Sequence, residues 1–196
     1  MPRGSAFGLG LAVACMTAAL VAGAAAEARA TRDAPPAGHT GGFGEPTCQD
    51  CHFEAELNTG GGRLRLEGLP ASYMPGAAYT LTVTLAQREL WVGGYQLSVR
   101  DAGGAQAGTL SLPDGARRSG ITVLGGIAYA HHVLAGTDPV APDSIGWSVA
   151  WTAPAAGGPV VFHVAGNAAN GDSSPLGDYV YAIELRLNRR ERERER

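Results

Sequence analysis

The sequence predicts a mainly β protein built as an antiparallel β-sandwich. Three observations lead there. From Arg63 onward, apolar residues alternate with polar ones over short stretches, and such alternation turns one face of a strand to a core and the other away from it. Clusters of Gly, Pro, Asp and Ser interrupt these stretches at short intervals, which is turn chemistry. No long stretch carries the 3.6-residue period of an amphipathic helix.

Residues 1–30 read as a secretory signal peptide. Arg3 supplies a positive start, residues 7–26 are apolar without a charge, and Ala28-Arg29-Ala30 fits an A-x-A cleavage pattern, with Ala24-Ala25-Ala26 as an earlier alternative. The run is long enough to span a bilayer, but its Ala and Gly content and its small-residue end favour cleavage, so no stable membrane span is expected afterwards. Cys15 lies mid-run with no polar linker after it, which argues against lipidation. The mature protein is expected to be exported, to the periplasm or to the extracellular cell surface.

Residues 31–46 form a Gly/Pro-rich lead-in, with Ala34-Pro35-Pro36-Ala37-Gly38 and Gly41-Gly42-Phe43-Gly44 disfavouring regular structure. His39 and Phe43 make it a segment suited to covering the edge of a bound ring. Residues 47–62 hold Cys48-Gln49-Asp50-Cys51-His52, the one place where three chemically demanding side chains fall within five residues. C-x-x-C-H is the attachment signature of c-type haem. Two thiols at this spacing reach the two vinyl groups on one porphyrin edge, and His52 is then placed to give its imidazole to the iron. A short helix is expected over residues 49–57, ended by Asn58 and Gly60-Gly61-Gly62.

Three other readings use the same residues. A CxxC redox pair asks for a βαβ context, and none is visible. Half a zinc site asks for a second Cys/His pair at matching spacing, and none is present. A plain Cys48–Cys51 disulfide is the third. Export supports the haem reading, since covalent haem attachment in bacteria takes place outside the cytoplasmic membrane.

Residues 63–188 carry the strands. Leu64, Leu66 and Leu69 alternate with Arg65 and Glu67; Tyr79, Leu81, Val83 and Leu85 with threonines; Tyr95, Leu97 and Val99 with Gln96 and Ser98; Trp147, Val149 and Trp151 with Ser148 and Ala150. Tyr179, Tyr181, Ile183, Leu185 and Leu187 close the series, and 110–112, 121–134 and 160–165 add candidates. Seven or more short strands with frequent turns argue for a sandwich, and a mature chain of about 165 residues suits one domain. Residues 189–196 are a low-complexity tail of five Arg and three Glu.

Several of these stretches carry a resemblance. Tyr73-Met74-Pro75-Gly76, Gly93-Gly94-Tyr95-Gln96-Leu97, Trp147-Ser148-Val149-Ala150-Trp151-Thr152-Ala153-Pro154, Gly158-Pro159-Val160-Val161-Phe162 and 165–172 resemble the reeler-like (reelin N-terminal) domain. They are more similar still to its bacterial relatives, the choice-of-anchor V proteins, which also carry a T-C-x-x-C-H motif such as residues 47–52. The resemblance covers roughly residues 38–187 and implies an immunoglobulin-like sandwich on exported or surface proteins. Members end in a sorting segment or membrane anchor, whereas here Leu187 is followed by Asn188 and the Arg/Glu tail.

The candidates for a second iron ligand are Met74, His39, His131, His132 and His163. The resemblance implies a Tyr-x-x-His on the segment Tyr129-Ala130-His131-His132, which falls on His132. Adjacent residues on a strand point to opposite faces, so one of the pair faces the haem, with His132 the expected ligand and His131 the alternate. The stretch Gly166-Asn167-Ala168-Ala169-Asn170-Gly171-Asp172, with Asp178 after it, reads as a structured turn; its oxygens also suit calcium, although EF-hand spacing is absent.

Between residues 31 and 188 there are 14 acidic and 8 Arg side chains and no Lys, a net of about −6. An acidic body argues against nucleic-acid binding, which needs clustered positive charge. No G-x-S-x-G, HExxH, P-loop or paired-carboxylate pattern points to a hydrolase or kinase. The expected function is that of a monohaem c-type electron carrier with one covalent haem and an unidentified redox partner. The alternatives are a binding or adhesion module in which haem is structural or the cysteines form a disulfide, and a haem sensor or enzyme with an open axial position.

Overall fold

The computed structural model describes Met1 and residues 32–190. The expected signal peptide, Cys15 and residues 191–196 of the tail lie outside the described residues. Nine strands form two antiparallel sheets: β1 (Arg63–Glu67), β2 (Ala78–Ala86), β3 (Val92–Asp101), β4 (Thr109–Ser111), β5 (Ser119–Leu124), β6 (Ile127–His132), β7 (Ser144–Thr152), β8 (Val160–Ala169) and β9 (Tyr179–Leu187). One sheet has the order β1-β2-β7-β4 and the other β5-β6-β3-β8-β9. The molecule is thus the mainly β sandwich that the alternation predicts.

The core lies between the sheets. Leu81, Val83, Leu85, Trp147, Val149 and Trp151 of the first sheet meet Tyr95, Leu97, Val99, Phe162 and Val164 of the second, all at most 1% exposed. Tyr95 packs on Trp147 with ring centroids 4.6 Å apart, and Trp151 meets Phe162 edge-on at 5.0 Å. Both indole N–H groups find carbonyls, Trp147 on Gly136 and Trp151 on Ala107, as a buried tryptophan requires.

Two expectations are corrected. The apolar stretch 121–134 is not one strand. It folds back as the β5–β6 hairpin, in which Leu124 pairs with Ile127 around Gly125 and Gly126. Both glycines have positive φ, 59° and 82°, as a two-residue turn with the twist of a hairpin demands. The helix expected over 49–57 is only a 3-10 turn, Cys48–Asp50. The segment after it is tied down at Asn58, the residue expected to close the helix. Asn58 exchanges two hydrogen bonds with Ala182 of β9, at 3.1 and 2.9 Å, and its N–H reaches Val180. So short a segment cannot recover the cost of helix nucleation against partners already offered by a strand.

Strand β3 is buried on both faces. Its core face is apolar, while its other face carries Gln96, Ser98 and Arg100, and the lead-in lies across them. Gln96 accepts the His39 N–H at 2.6 Å and donates to the Pro36 carbonyl at 2.9 Å. Thr40 sits 3.3 Å from the Ser98 hydroxyl and donates to Glu45 at 2.6 Å. Arg100 pairs with Glu45 and donates to the Tyr129 hydroxyl. The ion pair is shielded, with side-chain exposures of 8% and 15%. Among the described residues no helix is long and apolar enough to cross a membrane.

Removing one member of a buried ion pair leaves the other uncompensated in a poor solvent. Arg100→Ala is expected to destabilise the protein by about 3–5 kcal/mol in urea unfolding, and the double variant Glu45→Gln/Arg100→Met by distinctly less. Equal losses in the two would remove the ion pair as the clamp of the lead-in.

Candidate functional site

A cavity of about 580 Å³ opens where β3 begins, a size within the roughly 300–1,000 Å³ typical of ligand sites. Val92, Gly93 and Gly94 of β3 line it. One wall is the lead-in, through Pro35, Pro36 and His39; another is the motif segment, through Cys48, Cys51 and His52; a third is the loop after β8, from Gly171 to Pro175. His132, Tyr95 and Asn167 complete it. The four residues expected to hold a haem therefore border one space, although His132 is distant from the motif in sequence.

The motif is held locally by short-range bonds. Thr47 caps the 3-10 turn by accepting the Gln49 N–H at 3.2 Å, and the His52 N–H returns to the Cys48 carbonyl at 3.0 Å. Gln49 donates to the Ala55 carbonyl at 2.8 Å. At the far side of the imidazole, His52 Nδ1 lies 2.6 Å from Asp178 Oδ2. Asp178 is 1% exposed and stands one residue before β9. Its Oδ1 accepts the Asn170 N–H at 3.1 Å, and Asn167 Nδ2 reaches its Oδ2 at 3.3 Å.

The other candidate ligands sort by face. His131 is paired opposite Gln96 on the outer face of the sheet, its Nε2 3.0 Å from the Thr122 hydroxyl and its Nδ1 2.7 Å from the His132 carbonyl. It does not border the cavity. His132 does, and its Nδ1 accepts the Tyr95 N–H at 3.1 Å. That bond puts the proton of a neutral ring on Nε2; ligation through Nε2 requires the other tautomer, with Nδ1–H turned to the Tyr95 carbonyl 3.4 Å away. Gly94 makes room for this ring, since a Cβ there would lie 2.7 Å from His132 Cε1. His39 also borders the cavity, with Nδ1 3.1 Å from the Pro36 carbonyl and Nε2 3.6 Å from Asp50. His163 is away from it, between Phe43 at 5.3 Å and Glu184 at 3.1 Å. Met74 is 53% exposed in a turn beside Tyr79. Of the two lead-in residues expected to cover a ring, His39 is at the cavity and Phe43 is not.

Cys48 and Cys51 stand as thiols rather than as a disulfide. Burial pushes the Cys48 thiol up to about 12, with the neighbouring Cys51 adding to the effect. Burial also raises Cys51, helped by the negative charge of Asp50. A dithiol exchange centre instead needs a lowered thiol pKa, so the surroundings oppose thioredoxin-like chemistry. Of the oxygens considered for calcium, Asn170 Oδ1 accepts the Asp172 N–H at 3.0 Å and Asp172 Oδ1 the Ser174 N–H at 2.8 Å, while Asn167 Oδ1 is buried without a hydrogen-bond partner. Among the described residues no three His, Cys, Asp or Glu side chains are grouped to hold a metal unaided. An iron in a porphyrin asks only for axial ligands, because the macrocycle supplies the rest.

Sequence reasoning did not assign Asp178 or Asn167 to His52. The signal for Asp178 was a lone acid against the apolar strand Tyr179-Val180-Tyr181, where a buried carboxylate needs a partner.

The architecture defines an antiparallel β-sandwich with a loop-walled cavity at one end. No family model matches the chain, and no curated protein does. Among solved structures it is similar to the human F-spondin reeler domain, at 20% identity over 70% of this chain and 94% of that one, with a TM-score of 0.45. A second structure, the Reelin-N domain of F-spondin, shares 19% identity over 71% and 94%, with a TM-score of 0.46. A cohesin module from a Clostridium perfringens family 33 glycoside hydrolase shares 13% over 67% and 100%, at 0.43.

Three outcomes follow from the site. Gly94→Ala pushes a methyl group into the His132 ring and is expected to cost about 1–3 kcal/mol by overpacking, with a displaced His132 ring resonance by NMR. In protein made without haem maturation, Cys48 alkylates at pH 8 about 10³-fold more slowly in the native than in the urea-unfolded state, as its smaller thiolate fraction requires. Because the folded state holds this proton more tightly, stability falls as pH rises from the ordinary thiol value of 9.0 toward about 12. Native alkylation as fast as unfolded would contradict both the slow reaction and this pH dependence.

Proposed function

We propose that this protein is an exported β-sandwich binding module whose end cavity carries one haem c, and that it transfers single electrons to and from a partner protein. The observation that carries the proposal is the convergence of Cys48, Cys51, His52 and His132 on one cavity. Sandwiches commonly bind through the loops gathered at one end, and this cavity is walled by such loops.

In this reading Cys48 and Cys51 anchor one porphyrin edge as thioethers, and His52 gives its imidazole to the iron. His132 is the second ligand, reached by the tautomer shift described above, while His131 stays with Thr122. Phe53, which borders the cavity and is 63% exposed, lies where a partner would approach. A haem bound here supplies a one-electron iron couple whose potential follows from its axial ligands and its burial. The module without haem, with its cavity taking another ligand, is the second reading; the loop-built walls serve it equally.

The test is a pyridine haemochrome spectrum on protein expressed with a c-type maturation system, after acid-acetone extraction. Haem is expected to remain with the wild type and to be reduced or lost in Cys51→Ala. The iron is expected to be six-coordinate and low-spin, and His132→Ala to make it five-coordinate and quick to bind carbon monoxide. Wild-type protein without covalent haem would leave only the second reading, and five-coordinate wild type would favour a sensor or enzyme.

A further inference from the structure

We infer that Asp178 is the positioning residue of His52: it fixes the imidazole tautomer that offers Nε2 to the iron and biases that iron toward its oxidised state. The inference rests on the haem reading above. Its geometry does not, because the contact is built into the polypeptide.

The argument starts from hydrogen-bond chemistry. A carboxylate only accepts, so the 2.6 Å contact between His52 Nδ1 and Asp178 Oδ2 makes Nδ1 the donor. Asn167 Nδ2 is 3.2 Å from the same ring nitrogen and 3.3 Å from Asp178 Oδ2. An amide N–H cannot be accepted by a nitrogen that already carries a proton, so Asn167 donates to Asp178. The Asn170 N–H holds the other oxygen at 3.1 Å. Asp178 is thus pinned by its own loop, aimed at one ring nitrogen, and 1% exposed. With Nδ1–H committed, Nε2 carries the lone pair. A ligand histidine whose other nitrogen donates to a carboxylate is oriented by it and made a stronger base. Stronger donation and a nearby negative charge both stabilise ferric over ferrous iron. At His132 the arrangement differs: its Nδ1 accepts the Tyr95 N–H at 3.1 Å and lies 3.4 Å from the Tyr95 carbonyl. The two histidines are therefore unequal, His52 being preset for Nε2 ligation and His132 not.

The test has two arms. The first uses ¹⁵N-histidine-labelled Cys48→Ala/Cys51→Ala protein, which cannot attach haem, at a pH where imidazoles are neutral. His52 is expected as the Nδ1–H tautomer, and as a tautomer mixture once Asp178→Ala is added. An Nε2–H tautomer for His52 with Asp178 present overturns the inference, whether or not the Asp178 variant folds. The second arm compares wild type with Asp178→Asn after haemochrome spectra have shown equal covalent haem in both. The ferric/ferrous equilibrium is expected to shift at least tenfold toward ferrous in Asp178→Asn, which for a one-electron couple is about 59 mV, with Asp178→Glu restoring part of it. An unchanged potential at equal haem content overturns the inference. Wild-type protein without haem defeats the functional reading instead, and the first arm still decides the role of Asp178.

Discussion

The polar outer face of β3 must be covered, and much of the molecule follows from how it is. A central strand that turns Gln96, Ser98 and Arg100 away from the apolar core has three groups whose burial is costly unless each finds a partner. The lead-in supplies a partner to each, with Tyr129 a second one for Arg100 and only Arg100 Nε left without one on these three side chains. It gives Gln96 a backbone N–H and a carbonyl, Ser98 a hydroxyl, and Arg100 a carboxylate. A segment rich in Gly and Pro suits this task, because it has no pull toward a helix or a ladder of its own and can present main-chain groups sideways.

That cover also delivers the motif. Glu45 is clamped by Arg100, and Cys48 follows three residues later. The chain therefore leaves the sheet at a fixed point and makes the 3-10 turn Cys48–Asp50. It is caught again at Asn58 by β9. Between these two attachments the cysteines and His52 have little choice of place. The cavity is the space left between this arc, the loop after β8 and the opening residues of β3. Its shape depends on a buried ion pair that contributes position more than net stability, a role such pairs are known to serve in some proteins.

Much of the fold was legible because alternation reports which residues share a core. Leu81, Val83 and Leu85, or Trp147, Val149 and Trp151, needed nothing else. What alternation cannot report is what lies over the other face. Gln96, Ser98 and Arg100 read as solvent-facing by the same rule that placed Tyr95, Leu97 and Val99 inside, and only tertiary structure reveals the strap across them. The helix over 49–57 did not form beyond one 3-10 turn, and the segment is instead tied to β9, distant in sequence, at Asn58. The cysteines and His52 were visible as a motif, and His132 through a resemblance. Asp178 was not, since its role exists only after β8 and the loop to β9 fold it against His52.

The histidines show how one sheet divides its work. Position along a strand decides the face, so His131 and His132, adjacent in sequence, part company: one joins the Thr122 hydroxyl on the strapped outer face, the other turns to the cavity where Gly94 leaves room. His163 is on the strapped face too, packed by Phe43 and Glu184. Two histidines remain at the cavity besides His52. His39 is engaged by its own segment and by Asp50, whereas His132 Nδ1 faces the Tyr95 N–H and carbonyl of β3. A ring bonded to a backbone that offers both a donor and an acceptor can exchange one tautomer for the other with little movement. Under the proposed haem reading that exchange suits His132 to second ligation, and the two rings are held differently: His52 Nδ1 by a carboxylate, His132 Nδ1 by main-chain groups that serve either tautomer.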